Sequence, residues 1–243
     1  MSLRNGLFIT GTDTGVGKTI VAATIAYALK QRQIDFGYIK PMESGILSDD
    51  YLAQESDAAL VKKAGNLPES FAEIVPFTFP EALAPLLAAR RAGVLITKTN
   101  LLNSVKKLIR PQRLTIVEGA GGLLAPLCEN FLVLNLIKEL NLPVLVVCRT
   151  ALGSVNHTLL TLDRLRREGI EILGVIANHT ASNPDIAEAT FTSQLTEFDP
   201  VTILGELPYT AGLRPDFSDW NRLAAHIDIE TLLNLSKSIN TRQ

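Results

Sequence analysis

One stretch limits what this chain can fold into more than any other. Leu7-Phe8-Ile9 is a short apolar run of the buried-strand kind, Gly11, Gly15 and Gly17 space the loop after it, and Lys18-Thr19 opens an amphipathic run over 20–29. Strand, glycine-rich loop, Lys-Thr and helix, in that order, form the arrangement that holds a nucleoside triphosphate. Glycines let the backbone curl until its N–H groups face phosphate oxygens. The helix start adds the positive end of its dipole, and Lys18 neutralises the β- and γ-phosphates. Thr19 can offer its hydroxyl to Mg²⁺. The strict G-x4-G-K-[ST] spacing needs glycine at position 12, where this chain has Thr12; the glycine lies at Gly11, and five residues separate the outer glycines.

The rest of the chain reads as repeats of the same strand-then-helix theme. A helix is expected over 18–32, a strand over 35–42 closed by Pro41, a polar surface loop over 45–55, and a helix over 58–64 capped by Ser56-Asp57. Pro76 and Pro80 make 74–79 an edge strand or extended connection. Helices follow over 81–91 and 98–109, with Thr97 and Thr99 as candidate caps. A strand over 114–117 ends at Glu118-Gly119-Ala120-Gly121-Gly122, before a helix over 131–140. The continuous apolar run 143–148 suits a strand buried on both faces of a parallel sheet. Helix 154–168, strand 170–177 ending at Asn178, helix 184–195, strand 201–204 and a closing helix over 220–236 complete the pattern.

This alternation, with no linker tract and no repeat, predicts one α/β domain over 1–243. It is a doubly wound, mostly parallel sheet of the P-loop nucleoside triphosphate hydrolase type. With 243 residues and 47% hydrophobic content the chain can bury one large core. A net charge of −2 with mixed signs offers nucleic acid or a membrane surface nothing to bind. No apolar run approaches the ~18 residues of a membrane span, and the first residues lack a signal-peptide arrangement. The expectation is a soluble cytoplasmic protein in which Cys128 and Cys148 are free, buried thiols. His157, His179 and His226 are too dispersed to read as metal ligands.

In doubly wound sheets ligands gather outside the carboxyl ends of the strands, which narrows the search for chemistry. Lys40 follows the second strand, in Ile39-Lys40-Pro41-Met42-Glu43-Ser44-Gly45, and is either a second cation facing the phosphates or a solvated strand-end lysine. Glu118 stands where phosphate-loop proteins place a Mg²⁺-linked carboxylate, and Gly119 and Gly121 behind it allow close backbone approach. Asp57 has a structural reason to exist as a first-turn acid, yet Thr19, Asp57 and Glu118 make a chemically sensible Mg²⁺ set. Asn178 and Pro208-Tyr209 lie where a purine could rest, or serve turns. Gly153-Ser154-Val155-Asn156 is a helix start that would take an anion or simply cap the helix.

Taken together, Gly11 to Thr19, Lys40-Pro41 with Ser44-Gly45, Ser56-Asp57-Ala58, Val117 to Gly122 and Gly205-Glu206-Leu207-Pro208 resemble the ATP-dependent dethiobiotin synthetase family, in order from about residue 6 to 209. The resemblance implies that 7,8-diaminononanoate, CO₂ and Mg-ATP give dethiobiotin, ADP and phosphate through a carbamate–phosphate anhydride. It implies catalytic roles for Lys40 and Lys18. Nucleotide contacts would come from Thr14, Gly15, Val16, Gly17, Lys18, Thr19 and Ile20, from Asp57, and from Glu118, Gly119, Ala120 and Gly121. Asn178, His179, Pro208, Tyr209 and Thr210 would surround adenine. Mg²⁺ would sit among Thr19, Asp57 and Glu118, and Ser44 would touch the diamine. In a homodimer, Gly153, Ser154 and Asn156 would meet the substrate carboxylate across the interface. Two positions depart from the family pattern: Thr190 near an expected tyrosine, and Asn135 where aspartate is expected.

Three other readings compete. A partition or cell-division ATPase would carry an extra lysine early in the loop, in a Lys-Gly-Gly setting, where this chain has Gly11-Thr12-Asp13. Cobalamin-pathway amide synthetases share the loop and Glu-Gly motifs but normally continue into a glutaminase domain. A small-molecule kinase would phosphorylate without needing CO₂.

Overall fold

The computed structural model describes residues 5–110, 112–210 and 217–238; of the domain expected over 1–243, the remaining positions lie outside the described residues. In chain order the elements are β1 (Gly6–Gly11), α1 (Lys18–Gln31), β2 (Phe36–Ile39), β3 (Met42–Ser44), α2 (Asp49–Gln54), α3 (Asp57–Gly65), α4 (Phe71–Ile74), β4 (Phe77–Phe79), α5 (Pro85–Arg91), α6 (Lys98–Leu108) and β5 (Leu114–Gly122). Then come β6 (Pro126–Cys128), β7 (Phe131–Leu132), α7 (Val133–Leu140), β8 (Val144–Arg149), α8 (Ser154–Arg167), β9 (Ile172–Asn178), α9 (Ile186–Phe198), β10 (Ile203–Leu207), α10 (Phe217–Ala224) and α11 (Ile229–Ser238).

Six parallel strands form the central sheet in the order β10-β9-β8-β1-β5-β2. The two-residue period of a strand sends alternate side chains to opposite faces, and here both faces are buried. Leu7 and Ile9 join the core layer under α1, α3, α10 and α11, while Phe8 joins the layer under α5 to α9. Leu145 and Val147 of β8 face the first layer, and Val144, Val146 and Cys148 the second. Helices on both faces make the sheet doubly wound, as the alternating pattern predicts. From β1 the chain goes out to the β2 edge, returns through β5, then crosses β1 to β8 on the other side. The reversal puts the carboxyl ends of β1, β5 and β8 at a topological switch point.

Local chemistry overrides the sequence reading in several places. The strand expected over 35–42 breaks at Lys40-Pro41 into β2 of the main sheet and β3 outside it. The expected loop at 45–55 contains α2, because Ser48 Oγ accepts the Tyr51 N–H at 3.1 Å and Asp49 and Asp50 occupy the first turn. Ile74 ends the short helix α4, so the strand expected from there shrinks to β4, which pairs in parallel with β3 outside the main sheet. Phe131 and Leu132, expected as helix, form β7 against β6 in an antiparallel hairpin whose turn uses Asn130 at φ 54°. The closing helix is two, α10 and α11: Asp228 donates its N–H to Leu204 O at 2.7 Å and accepts the Thr231 N–H at 2.9 Å, starting a new helix. Both thiols are free and buried, and burial pushes Cys148 up to about 12.

Candidate nucleotide and metal site

The loop between β1 and α1 is shaped by sterics at its glycines. A Cβ on Gly11 would stand 2.8 Å from Val16 Cγ2 and 2.9 Å from Asp13 O, so the chain admits only glycine there. Gly17 caps α1 at φ 95°, a left-handed conformation natural to glycine. Thr12 N–H donates to Val147 O at 3.0 Å, fixing the loop to β8. On its other side β5 continues through Glu118 into the glycine run, and Gly122 pairs with Gly11. Gly121 turns there at φ 67°, a left-handed conformation natural to glycine, and a Cβ on it would lie 3.1 Å from Ala125 Cβ.

At this switch point four expected residues converge. Thr19 Oγ1 donates to Glu118 Oε1 at 2.9 Å, and Lys40 Nζ lies 3.1 Å from the same oxygen. Lys40 also pairs with Asp57 Oδ2. Glu118 is fully buried and Lys40 is 5% exposed, while the Asp57 side chain remains half open to solvent. Lys18 reaches back across the loop to Asp13 O at 3.1 Å.

The electrostatics follow from these contacts. Burial alone would lower the Lys40 ammonium, but Glu118 and Asp57 outweigh it and hold Lys40 above the ordinary lysine value, firmly protonated. Lys18 goes the other way: burial leads, neighbouring Lys40 adds to it, and its value falls despite Glu118 and Asp57. Burial would raise the Asp57 carboxyl, yet Lys40 beside it brings it below the usual carboxylate range.

Two residues that the sequence reading missed complete the cluster. Tyr38 donates its hydroxyl to Glu118 Oε2 at 2.8 Å, so Thr19 and Tyr38 hold the carboxylate from opposite oxygens. The signal was present, because Tyr38 stands two residues before Lys40 and a strand's period sends both to one face. Glu43 is buried and accepts the Asp57 N–H at 2.7 Å; nothing in the sequence distinguishes it from a solvated loop acid.

The other expected positions are placed as follows. Ser44 Oγ donates to Leu83 O at 2.8 Å, which ties it to the chain before α5. Asn178 Nδ2 donates to Val16 O at 3.1 Å and lies so close to Gly17 that a Cβ there would come within 2.0 Å of it. One face of its amide therefore braces the phosphate loop. His179 N–H donates to Leu207 O at 2.9 Å, joining β9 to β10. Its ring meets Glu206 Oε1 at 2.7 Å and Thr150 Oγ1 at 3.3 Å, a polar network the sequence reading also missed. Tyr209 is 40% exposed beside Pro208, and Arg222 donates to Thr210 Oγ1 at 3.3 Å. Gly153 starts α8 at φ 87°, Ser154 is buried with its hydroxyl unpartnered, and Asn156 is exposed. Asn135 Oδ1 accepts the Leu132 N–H at 2.8 Å, the capping bond an aspartate would also make, and Thr190 bonds Ile186 O within its own helix. A cavity of about 440 Å³ lies elsewhere, along the outer edge of β2 between Tyr38, Glu69, Ser104 and Arg113.

The oxygens of Thr19, Asp57 and Glu118 form a hard donor set. Among the described residues no group of three or more His, Cys, Asp or Glu side chains could hold a metal by itself. A cation here would need further oxygens, such as those of phosphates and water, which is how Mg²⁺ prefers to be bound.

Known proteins resemble this chain over most of its length. A family model described as an AAA domain matches residues 5–216. The ATP-dependent dethiobiotin synthetase BioD of Bacillus licheniformis is 38% identical over 229 residues, covering 94% of this chain and 96% of the relative. The protein of the same name from Bacillus velezensis is 39% identical over 230 residues, covering 95% and 97%. Among solved structures, a putative plasmid partition protein of Borrelia burgdorferi bound to AMPPNP superposes with a TM-score of 0.55 at 13% identity, covering 95% of this chain and 97% of that one. At that identity the likeness is one of fold.

Proposed function

Since this chain belongs to the ATP-dependent dethiobiotin synthetase family, we propose that the Thr19–Lys40–Asp57–Glu118 cluster is where its phosphoryl transfer takes place. The enzyme is an ATP-dependent cyclo-ligase of biotin biosynthesis, converting 7,8-diaminononanoate, CO₂ and ATP to dethiobiotin, ADP and phosphate. The observation that carries the site assignment is the convergence of Thr19 Oγ1 and Lys40 Nζ on Glu118 Oε1, at 2.9 and 3.1 Å, beside the phosphate loop.

In this reading Thr19, Asp57 and Glu118 hold Mg²⁺, their oxygens fitting its preference for few carboxylates completed by phosphates and water. Bound there, the ion would offset negative charge on the β- and γ-phosphates. The amides of Gly15, Val16 and Gly17, with those of Lys18, Thr19 and Ile20, cradle the phosphates alongside Gly119, Ala120 and Gly121. A carbamate oxygen of the substrate attacks the γ-phosphorus as the bond to the β-phosphate oxygen breaks. Lys18 and protonated Lys40 stabilise the charge spreading over the equatorial oxygens. The second amine then attacks the carbamoyl carbon of the mixed anhydride. Phosphate leaves with the C–O bonding pair, and the nitrogen loses a proton as the cyclic urea closes.

Asn178, His179, Pro208, Tyr209 and Thr210 surround adenine at the ends of β9 and β10, with Asn178 already braced on the loop by its bond to Val16 O. Ser44 borders the diamine. Gly153, Ser154 and Asn156, at the start of α8, take the substrate carboxylate of a second copy, making the working unit a homodimer. Residues 1–243 act as one domain in the cytoplasm; among the described residues no helix is long and apolar enough to cross a membrane.

The test is direct. The purified chain is supplied with Mg-ATP, bicarbonate and 7,8-diaminononanoate while ADP release and product mass are followed. Diamine-dependent ADP release with a product carrying one added carbon is expected. Hydrolysis indifferent to diamine, or a phosphorylated product without the added carbon, refutes the assignment.

A further inference from the structure

Glu43 is a buried carboxylate, 7% exposed, in a segment otherwise notable for its neighbours Lys40 and Ser44. Its oxygens accept the N–H groups of Asp57 at 2.7 Å and Ala58 at 3.4 Å. These are the first two residues of α3, whose amides have no partner within the helix. The third is met locally, by Ser56 Oγ accepting the Ala59 N–H at 2.9 Å, and the Leu60 N–H already reaches Ser56 O at 3.2 Å. Ser56 is thus a sufficient local start for the helix. The carboxylate arriving from another segment adds a fixed position in space, reinforced by the helix dipole.

That position is rigidly referenced. Met42, Glu43 and Ser44 pair with Phe77, Thr78 and Phe79, and the Lys40 N–H donates to Ile74 O at 2.8 Å. α3 is held by packing through Ala58, Val61 and Ala64. Its carboxylate-bearing first residue, Asp57, is half open to solvent and has Lys40 as its ion-pair partner. We propose that Glu43 is a positioning residue: its carboxylate clamps the start of α3 to the strand segment bearing Lys40, fixing where the Asp57 carboxylate stands relative to Lys40 and Glu118. Asp57 matters for turnover through the site assignment made above, and the inference rests on that reading.

Glu43→Ala removes both acceptors; Glu43→Gln keeps one oxygen for the Asp57 N–H. Three readouts separate positioning from mere support: amide exchange at Asp57 and Ala58, kcat with KM for ATP, and the Mg²⁺ concentration for half-maximal turnover. Glu43→Ala is expected to speed exchange at Asp57 and Ala58. It should also lower kcat and raise the Mg²⁺ requirement by about 10–100-fold, as losing a group that orients a ligand does. KM for ATP should hold within about threefold, because the phosphate loop is untouched. Glu43→Gln should recover most of kcat. Unchanged exchange at both amides in Glu43→Ala, wild-type turnover and Mg²⁺ dependence, or equal impairment of the two variants overturns the proposal. Should the wild-type chain lack diamine-dependent turnover, the site reading fails instead, and amide exchange still decides the clamp.

Discussion

Lys40→Gln is the perturbation whose cost the geometry defines best. The lysine is 5% exposed and 3.1 Å from a fully buried carboxylate, so the substitution strands Glu118 with only the hydroxyls of Tyr38 and Thr19. Removing one partner of a buried ion pair costs about 3–5 kcal/mol. The Asp57 pairing adds little, since that carboxylate is half in water. The lower end, about 3 kcal/mol, corresponds to a fall in melting temperature of about 6–12 °C for a chain of this size. Turnover should fall further, by about 10²–10³, if Lys40 stabilises the transferring phosphoryl group. The two effects are separated by measuring kcat well below the variant's melting transition, with urea unfolding in parallel. Adding Glu118→Gln removes the stranded charge, so the double variant should regain about 1–3 kcal/mol over simple additivity. A melting temperature within about 2 °C of wild type would refute the buried-pair reasoning. So would strictly additive losses in the double variant.

Other outcomes test neighbouring parts of the site. Gly17→Ala puts a Cβ 2.0 Å from Asn178 Nδ2 at φ 95°, and should cost about 1–2 kcal/mol from the backbone alone while weakening ADP binding; calorimetry showing unchanged affinity contradicts the bracing role. Glu118→Gln should raise the Mg²⁺ concentration for half-maximal turnover by at least about tenfold, the loss typical even of outer-shell partners, and an unaltered metal dependence rejects that ligand. Burial lifts the Glu43 carboxyl from 4.5 to about 7 against the pull of Lys40. The folded chain therefore keeps a proton that the unfolded chain gives up across that window, and stability falls as pH rises through it. Glu43→Gln should flatten this slope in urea titrations at pH 4.5 to 7; an identical slope shows that another group is responsible.

How much was legible varies with the range of the interaction. Ser56 as cap, Thr97 as cap and the strand 143–148 were readable, because a cap needs one side chain and its own turn, and a doubly buried strand shows an unbroken apolar run. α2 was hidden because Ser48-Asp49-Asp50 reads equally as a polar loop, and the N-cap bond decides between them. Phe131-Leu132 looked helical because the apolar spacing runs on into α7, while the turn at Asn130 that makes them a strand is a backbone event. Lys40, Asp57 and Glu118 were found by position, as strand-end and helix-start residues; their mutual contacts were beyond what position can say.

The sequence by itself determined the phosphate loop, the alternation of strands and helices and, through motif order, the chemistry to look for. Each rests on signals carried within a few residues: a glycine where a Cβ would strike Val16, a two- or 3.6-residue period, a cap. Only the tertiary structure decided which of the candidate groups meet. Thr19 and Glu118 are 99 positions apart and Lys40 and Glu118 78 apart, yet each pair is in contact. Periodicity tells a side chain which face it takes but not which strand lies beside it. The sheet order that brings β2 against β5 and β5 against β1 put Tyr38, Lys40 and Glu118 at one end of the sheet, and the packing of α3 onto the core brought Asp57 to them.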